Sequence, residues 1–266
     1  MTFDFNNKVV LVTGGTRGIG KAISMAFGEA GAKVAMVYYS NEEEAQATQS
    51  LMKHIEHFPI RCDVSKPEEV RKMVNDITFK YGRIDVLINN AGISQRSFIV
   101  DTDFEVYKQL VDINYLGTVA LTKAILPYFI ERQKGHFATV TSLMGKFGSP
   151  VRSGYCGSKH ALHGFFDVLR MEHEKDHILV TLVAPGFVQT NIAKNALVGD
   201  GSARGHEDTD NANGLTTADF SKKMIKAIEK EKYEVYMGGK EILGIYLKRF
   251  FPKLLHKVVL QNAAKK

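Results

Sequence analysis

The sequence predicts a doubly wound α/β domain, and three observations carry the prediction. Short apolar, β-branched runs alternate with stretches of ten or more residues of helical periodicity. The runs are continuous rather than alternating in polarity, as expected of strands covered on both faces, and a parallel sheet with crossover helices provides such cover. A glycine-bearing turn, TGGTRGIG, follows the first run and opens the first helical stretch.

In chain order the runs are KVVLVT (8–13), KVAMVYY (33–39), FPIRC (58–62), VLINN (86–90), HFATVTS (136–142) and ILVTLVAP (178–185). Residues 199–214, GDGSARGHEDTDNANG, are Gly-rich, polar and without periodicity, and read as a mobile loop after the sixth strand. Open α/β sheets bind ligands beyond the carboxyl ends of their strands. The loop therefore reads either as a substrate lid, spanning about 187–215, or as a plain disordered insert.

A chain of 266 residues with 44% hydrophobic and 24% charged residues suits one large globular domain. Its start lacks a basic segment followed by an apolar one, and no window reaches the ~18 uncharged apolar residues of a membrane-spanning helix. A cytoplasmic location is expected. Cys62 and Cys156 lie far apart without metal-ligand spacing, which suits a reducing compartment and makes a disulfide unexpected. The net charge of +6 resides wholly in residues 240–266, where seven Lys or Arg face the single acid Glu241. No nucleic-acid-binding motif accompanies that charge, so no nucleic-acid partner is expected.

Gly14, Gly18 and Gly20 permit a tight turn and close backbone approach, and the helix that follows offers N–H groups and a positive dipole to a pyrophosphate. The ordinary dinucleotide fingerprint fails here, since Ile23 stands where its third glycine belongs. Taken alone, the loop also reads as an ordinary glycine turn. Tyr155 and Lys159, four apart, share one helix face. A free phenol titrates near ~10, and a neighbouring ammonium favours phenolate, so the pair can exchange protons. Such a pair alone is more often a coincidence on a solvated helix.

Together these motifs resemble the short-chain dehydrogenase/reductase family. TGGTRGIG resembles its TGxxxGxG loop, NNAG (89–92) its structural motif and YCGSK its YxxxK, over about residues 6–236. The resemblance implies a Rossmann-like, seven-stranded parallel sheet flanked by helices, and hydride transfer between a nicotinamide and an alcohol or carbonyl carbon. Ser142 and Asn114 fall where the family keeps its serine and helix asparagine. By resemblance, Tyr155 is the general acid/base and Ser142 stabilises the substrate oxygen. Lys159 holds the nicotinamide ribose and lowers the Tyr155 pKa, and Asn114 positions a water beside it.

The same resemblance assigns cofactor contacts to Gly14, Thr16, Arg17, Gly18, Ile19 and Gly20, to Asp63 and Val64 at the adenine, and to Asn90, Ala91 and Gly92. Tyr155 and Lys159 join them, with Pro185, Gly186, Val188 and Thr190 from PGFVQT at the carboxamide end. NAD-preferring relatives present an acid at the end of the second strand, where Tyr38 stands here. With Arg17, Ser40 and Asn41 nearby, NADP(H) is favoured and NAD(H) is the alternative; Arg17 reads equally as a solvated charge. His160 with His163 and His173 with His177 have helical spacing but no accompanying cysteine or carboxylate cluster, so no metal is expected. Cys156, rotated ~100° from Tyr155, is assigned to packing.

The expected activity is an NADP(H)-dependent carbonyl reductase or alcohol dehydrogenase on a small-molecule substrate, assembled as a homodimer or homotetramer. An NAD-dependent alcohol dehydrogenase, a non-catalytic cofactor-sensing scaffold and an extended-type epimerase or dehydratase are the alternatives. Residues 1–240 form the dinucleotide-binding domain and 241–266 a basic amphipathic tail, broken near Pro252. On one helical wheel Leu243, Leu247, Phe250, Phe251, Leu254, Leu255 and Val258 share a face opposite Lys248, Arg249, Lys253, His256 and Lys257. Packing on protein and peripheral contact with an anionic membrane, with a lipid- or steroid-like substrate, both fit that pattern.

Overall fold

The computed structural model describes residues 4–52 and 56–263; the last residues of the tail, 264–266, lie outside it. Seven parallel strands form one sheet in the order β3-β2-β1-β4-β5-β6-β7. They are β1 (Val9–Thr13), β2 (Lys33–Tyr38), β3 (Phe58–Arg61), β4 (Val86–Asn89), β5 (Gly135–Val140), β6 (Ile178–Pro185) and β7 (Glu234–Met237). Six follow the apolar runs. β7 has no such run, and its half-exposed Glu234, Val235 and Tyr236 fit an edge strand covered on one side only.

Side-chain alternation divides the core into two layers. Val10, Val12, Val34 and Met36 point to one face, where Ile23 and Phe27 of α1 (Gly18–Glu29) and Phe220 and Met224 of a later helix (Thr217–Glu229) cover them. Leu11, Ala35 and Val37 point to the other. There they meet α3 (Pro67–Tyr81), α5 (Gly117–Glu131) and α6 (Ser153–Glu172), while α2 (Glu42–Leu51) precedes β3. Each fully buried Phe or Leu of these layers contributes roughly 1.5–3 kcal/mol.

A short helix, α4 (Phe104–Val111), continues through a π-helical turn, Asp112–Leu116, into α5, making one 28-residue helix from Phe104 to Glu131. By length and composition alone it could cross a membrane. In the fold it is the β4-to-β5 crossover, burying Leu121, Ile125 and Phe129 against the sheet.

The polar segment after β6, read as a lid or a disordered insert, carries defined local structure. A bridge joins Leu197 to Gln95, a second joins Leu197 to Ala203, and Val188 pairs with Leu215. One helical turn, α7 (Thr209–Ala212), precedes α8 (Thr217–Glu229). Composition concealed this order because long-range partners, rather than local periodicity, impose it.

The tail forms α9 (Leu243–Phe250) and α10 (Pro252–Ala263). Phe251, at φ −137° and ψ 61°, breaks the helix ahead of Pro252, so a single wheel does not describe both halves. Of the residues assigned to one face, Leu255 is buried against Leu143, Phe147 and Ala184, and Leu247 packs at the edge of that cluster. Leu243, Phe250, Phe251 and Leu254 are exposed instead.

Candidate active site

The site assembles at the carboxyl ends of β1, β4, β5 and β6. After β1 the chain turns through Gly14 at φ +60°, a conformation costly for residues with a Cβ. A Cβ at position 20 would lie 1.9 Å from the Gly14 carbonyl oxygen, so Gly20 performs the close packing that the sequence left without a third glycine. The α1 N-terminus follows with no side-chain cap on its first N–H groups, which leaves that end suited to a pyrophosphate. Thr16 lies buried beneath it, its carbonyl accepting the Thr48 hydroxyl at 2.9 Å.

β4 fastens this loop in place. The Thr13 hydroxyl oxygen accepts the backbone N–H groups of Asn90 at 2.9 Å and Ala91 at 3.0 Å. The Asn90 amide donates to the carbonyls of Thr13 and Gly14. Asn90 and Ala91 are thus placed to shape the glycine loop. The Asp63 carboxylate accepts from the hydroxyl and backbone N–H of Ser65 and so shapes the turn after β3.

The side chains expected to carry the chemistry converge. Tyr155 is buried in the first turn of α6, and the Ser142 hydroxyl is among the groups that act on its phenol. The Ser142 hydroxyl also accepts the Met144 N–H at 3.1 Å. The Lys159 ammonium lies 5.9 Å from the Tyr155 ring centre and donates to the Val140 carbonyl at 2.9 Å. A Cβ at Gly92 would meet Asn114 Oδ1 at 3.0 Å and Lys159 Nζ at 3.6 Å, so a bare backbone borders both groups. Asn114, fully buried in the π turn, accepts the Ile93 N–H at 2.8 Å. Its amide donates to the Ile93 carbonyl and to Ser158, both at 3.0 Å.

The electrostatics differ from expectation in one respect. Burial raises the Tyr155 phenol above its ordinary value, opposed by the Ser142 hydrogen bond and then by the Arg152 and Arg96 charges. Burial lowers the pKa of the neighbouring Lys159 to about 8, so its ammonium remains charged at neutral pH. Arg152 and Arg96 add positive field at the phenol that the sequence reading did not include.

PGFVQT reaches the glycine loop: a Cβ at Gly18 would lie 3.6 Å from Thr190 Cγ2. The Pro185 carbonyl accepts the Ser142 hydroxyl at 3.5 Å. Gly186 lies beside the Glu241 carboxylate, and the Phe187 N–H donates to that carboxylate at 3.4 Å. Tyr38 ends β2 half-buried, and Arg17 and Ser40 are exposed. Asn41 Oδ1 caps α2 by accepting the Glu44 N–H at 2.9 Å. Glu42, Glu43 and Glu44 fill the next turn, three carboxylates that the reading of Tyr38 overlooked.

Sequence reasoning also missed Gln95, Arg96, Arg152 and Asp208. Gln95 is fully buried and accepts the Gly154 N–H at 2.7 Å, fixing the N-terminus of α6. No local motif marks these residues; only the approach of the 187–215 segment to α6 assembles them. His163 Nδ1 lies 3.2 Å from Glu234, and His160 Nδ1 bonds the Cys156 carbonyl. Cys156 and Cys62 are buried free thiols.

Residues 8–199 match the family model described as short chain dehydrogenase. Mouse dehydrogenase/reductase SDR family member 7B is 36% identical over 97% of this chain and 82% of its own length. The Xenopus tropicalis protein of the same name is 37% identical over 97% of this chain and 86% of its own. Among solved structures, a short-chain dehydrogenase from Streptomyces avermitilis superposes with a TM-score of 0.81 at 25% identity, covering 97% and 99% of the two chains. A Burkholderia phymatum short-chain dehydrogenase/reductase in complex with NAD, 19% identical, shares the fold at a TM-score of 0.83 over 95% and 96%. The chain belongs to the short-chain dehydrogenase/reductase family and is an oxidoreductase acting on CH–OH groups with NAD(P).

Proposed function

We propose that the chain is an NADP(H)-dependent carbonyl reductase or alcohol dehydrogenase in which Tyr155 is the general acid/base. The observation that carries this reading is the buried Tyr155 phenol, with Ser142 acting on it and the Lys159 ammonium 5.9 Å from its ring. The bound nicotinamide supplies or accepts the hydride. Tyr155 gives its proton to the oxygen that becomes the alcohol, or takes it back in oxidation. Ser142 hydrogen-bonds that oxygen and stabilises its developing charge.

Lys159 holds the ribose hydroxyls and, with Asn114 and Ser158 behind it, resupplies the proton. Gly14, Gly18, Ile19 and Gly20 cradle the pyrophosphate, Val64 borders the adenine, and Val188 and Thr190 orient the carboxamide. Arg17 and Ser40 favour a 2′-phosphate, while Glu42–Glu44 oppose it; Arg17 prevails because it rises from the loop that holds the pyrophosphate. A panel of ketones and aldehydes followed by NADPH absorbance tests the activity, and no oxidation of either nicotinamide with any carbonyl would sink it.

The exposed ridge of the tail supports a second element of this reading. Phe250 and Phe251 are 67% and 62% exposed beside Lys248, Arg249, Lys253 and Lys257. Aromatic and basic groups on one rim suit the interface of an anionic membrane, which would deliver an apolar substrate.

A further inference from the structure

Four charged side chains, none of them part of the cofactor cradle, meet beside Tyr155. Asp208, in the segment after β6, accepts Arg96 Nε at 3.2 Å and Arg96 Nη2 at 2.7 Å. Arg204 Nη1 closes on its other oxygen. Arg152 Nη2 stands 3.7 Å away, too far for a hydrogen bond.

One carboxylate thus faces three guanidinium groups. Their side chains are only 11% (Arg96), 13% (Arg152) and 20% (Arg204) exposed. Arg96 and Arg204 hold the hydrogen bonds to Asp208, and Arg152 is left short. Its Nε is buried with no partner, and its Nη1 reaches only the Met144 sulfur, at 4.0 Å. A buried cation with unmet donors is costly unless an anion completes it.

The backbone adds a second mark. Val151, directly before Arg152, sits at φ +59°, strained for a β-branched residue, and is pinned where its carbonyl accepts the Ser97 N–H at 3.0 Å. Arg152 itself stands three residues before Tyr155, at the mouth of α6, and its charge reaches the phenol. An anion on Arg152 would therefore share the electrostatic surroundings of the reacting phenol.

We infer that the substrate carries an anionic group, a carboxylate or a phosphate, which binds Arg152 with support from Arg96. The inference rests on the oxidoreductase reading and names the substrate class of that same site. Guanidinium groups suit either anion through paired N–H donors. Asp208 holds Arg96 and Arg204 in place and ties the segment after β6 over the site.

The test uses keto acids and keto phosphate monoesters with their neutral counterparts, the methyl esters and free alcohols, at saturating NADPH. Anionic carbonyls should show the higher kcat/KM, and Arg152→Gln should lower the anionic-to-neutral ratio by about tenfold or more. The ratio cancels any effect of Arg152 on the Tyr155 proton. Arg96→Gln, which leaves Arg204 on Asp208, should lower it in the same direction. A ratio near one in the wild type, or one unchanged by both variants, overturns the inference while leaving the activity intact. If no carbonyl is reduced the activity reading fails, and a calorimetric titration with inorganic phosphate in saturating NADP⁺ still decides the anion site. Binding weakened about tenfold by Arg152→Gln supports it, and absent or unaltered binding overturns it.

Discussion

The Gln95 side-chain oxygen accepts the Gly154 N–H at 2.7 Å, so a residue from the loop after β4 caps the helix that carries Tyr155. Its amide nitrogen donates to Ser97 and Thr102 and fixes the cap's orientation. Gln95→Ala should cost about 1–2 kcal/mol of stability, as loss of a buried cap does. It should also lower kcat more than it raises the KM for cofactor, because Tyr155 loses its register. Gln95→Glu retains the acceptor and should recover part of the loss. Thermal melts and steady-state kinetics of both variants check this, and equal behaviour of the two would refute a capping role.

Tyr155→Phe should abolish turnover while leaving NADPH affinity nearly unchanged, and Lys159→Ala should impair both. Because burial holds the phenol above its ordinary value, it remains a proton donor through neutral pH. Carbonyl reduction should therefore be flat from about pH 6 to 8, and alcohol oxidation should climb with pH. Substantial turnover by Tyr155→Phe would remove Tyr155 from the acid/base role.

Lys159 predicts an unusual stability profile. Its folded-state pKa is lowered from 10.5 to about 8 by burial. Between those values the unfolded chain binds the extra proton, so stability relative to Lys159→Met should rise with pH, by up to about 1.4 kcal/mol per unit. Below pH 8 both states are protonated and the difference should level off. Denaturant unfolding of the two proteins from pH 7 to 10 provides the measurement; a difference that is constant across that range contradicts it.

NADPH should bind more tightly than NADH, and Arg17→Ala should narrow the gap. Replacing Glu42 and Glu43 by Gln should widen it, since those carboxylates oppose the phosphate. Titration of both cofactors by protein fluorescence decides the matter, and equal or tighter NADH affinity in the wild type would falsify the preference.

In the tail, Phe250→Ser with Phe251→Ser should release the protein from anionic liposomes at low salt without lowering its melting temperature, since both rings are exposed. Leu255→Ala, which opens the cluster with Leu143 and Phe147, should cost about 2–5 kcal/mol and leave liposome binding unchanged. No sedimentation of the wild type with anionic liposomes would defeat the membrane placement.

The sequence by itself determined the six apolar strands, the glycine turn and the Tyr155–Lys159 spacing, because each is written in neighbouring residues: continuous β-branched runs, a strand-to-helix turn and a four-residue step. β7 escaped that reading because an edge strand needs no apolar run. The tertiary structure alone decided how the rest combine. It split the tail's apolar residues between the core and solvent once Phe251 broke the helix, and it folded the polar segment after β6 by tying Asp208 to Arg96. It also placed Arg152 and Arg96 among the charges acting on Tyr155. Residues 96, 152 and 208 are far apart along the chain, and no periodicity encodes a meeting that depends on β4, α6 and the segment after β6 reaching the same end of the sheet.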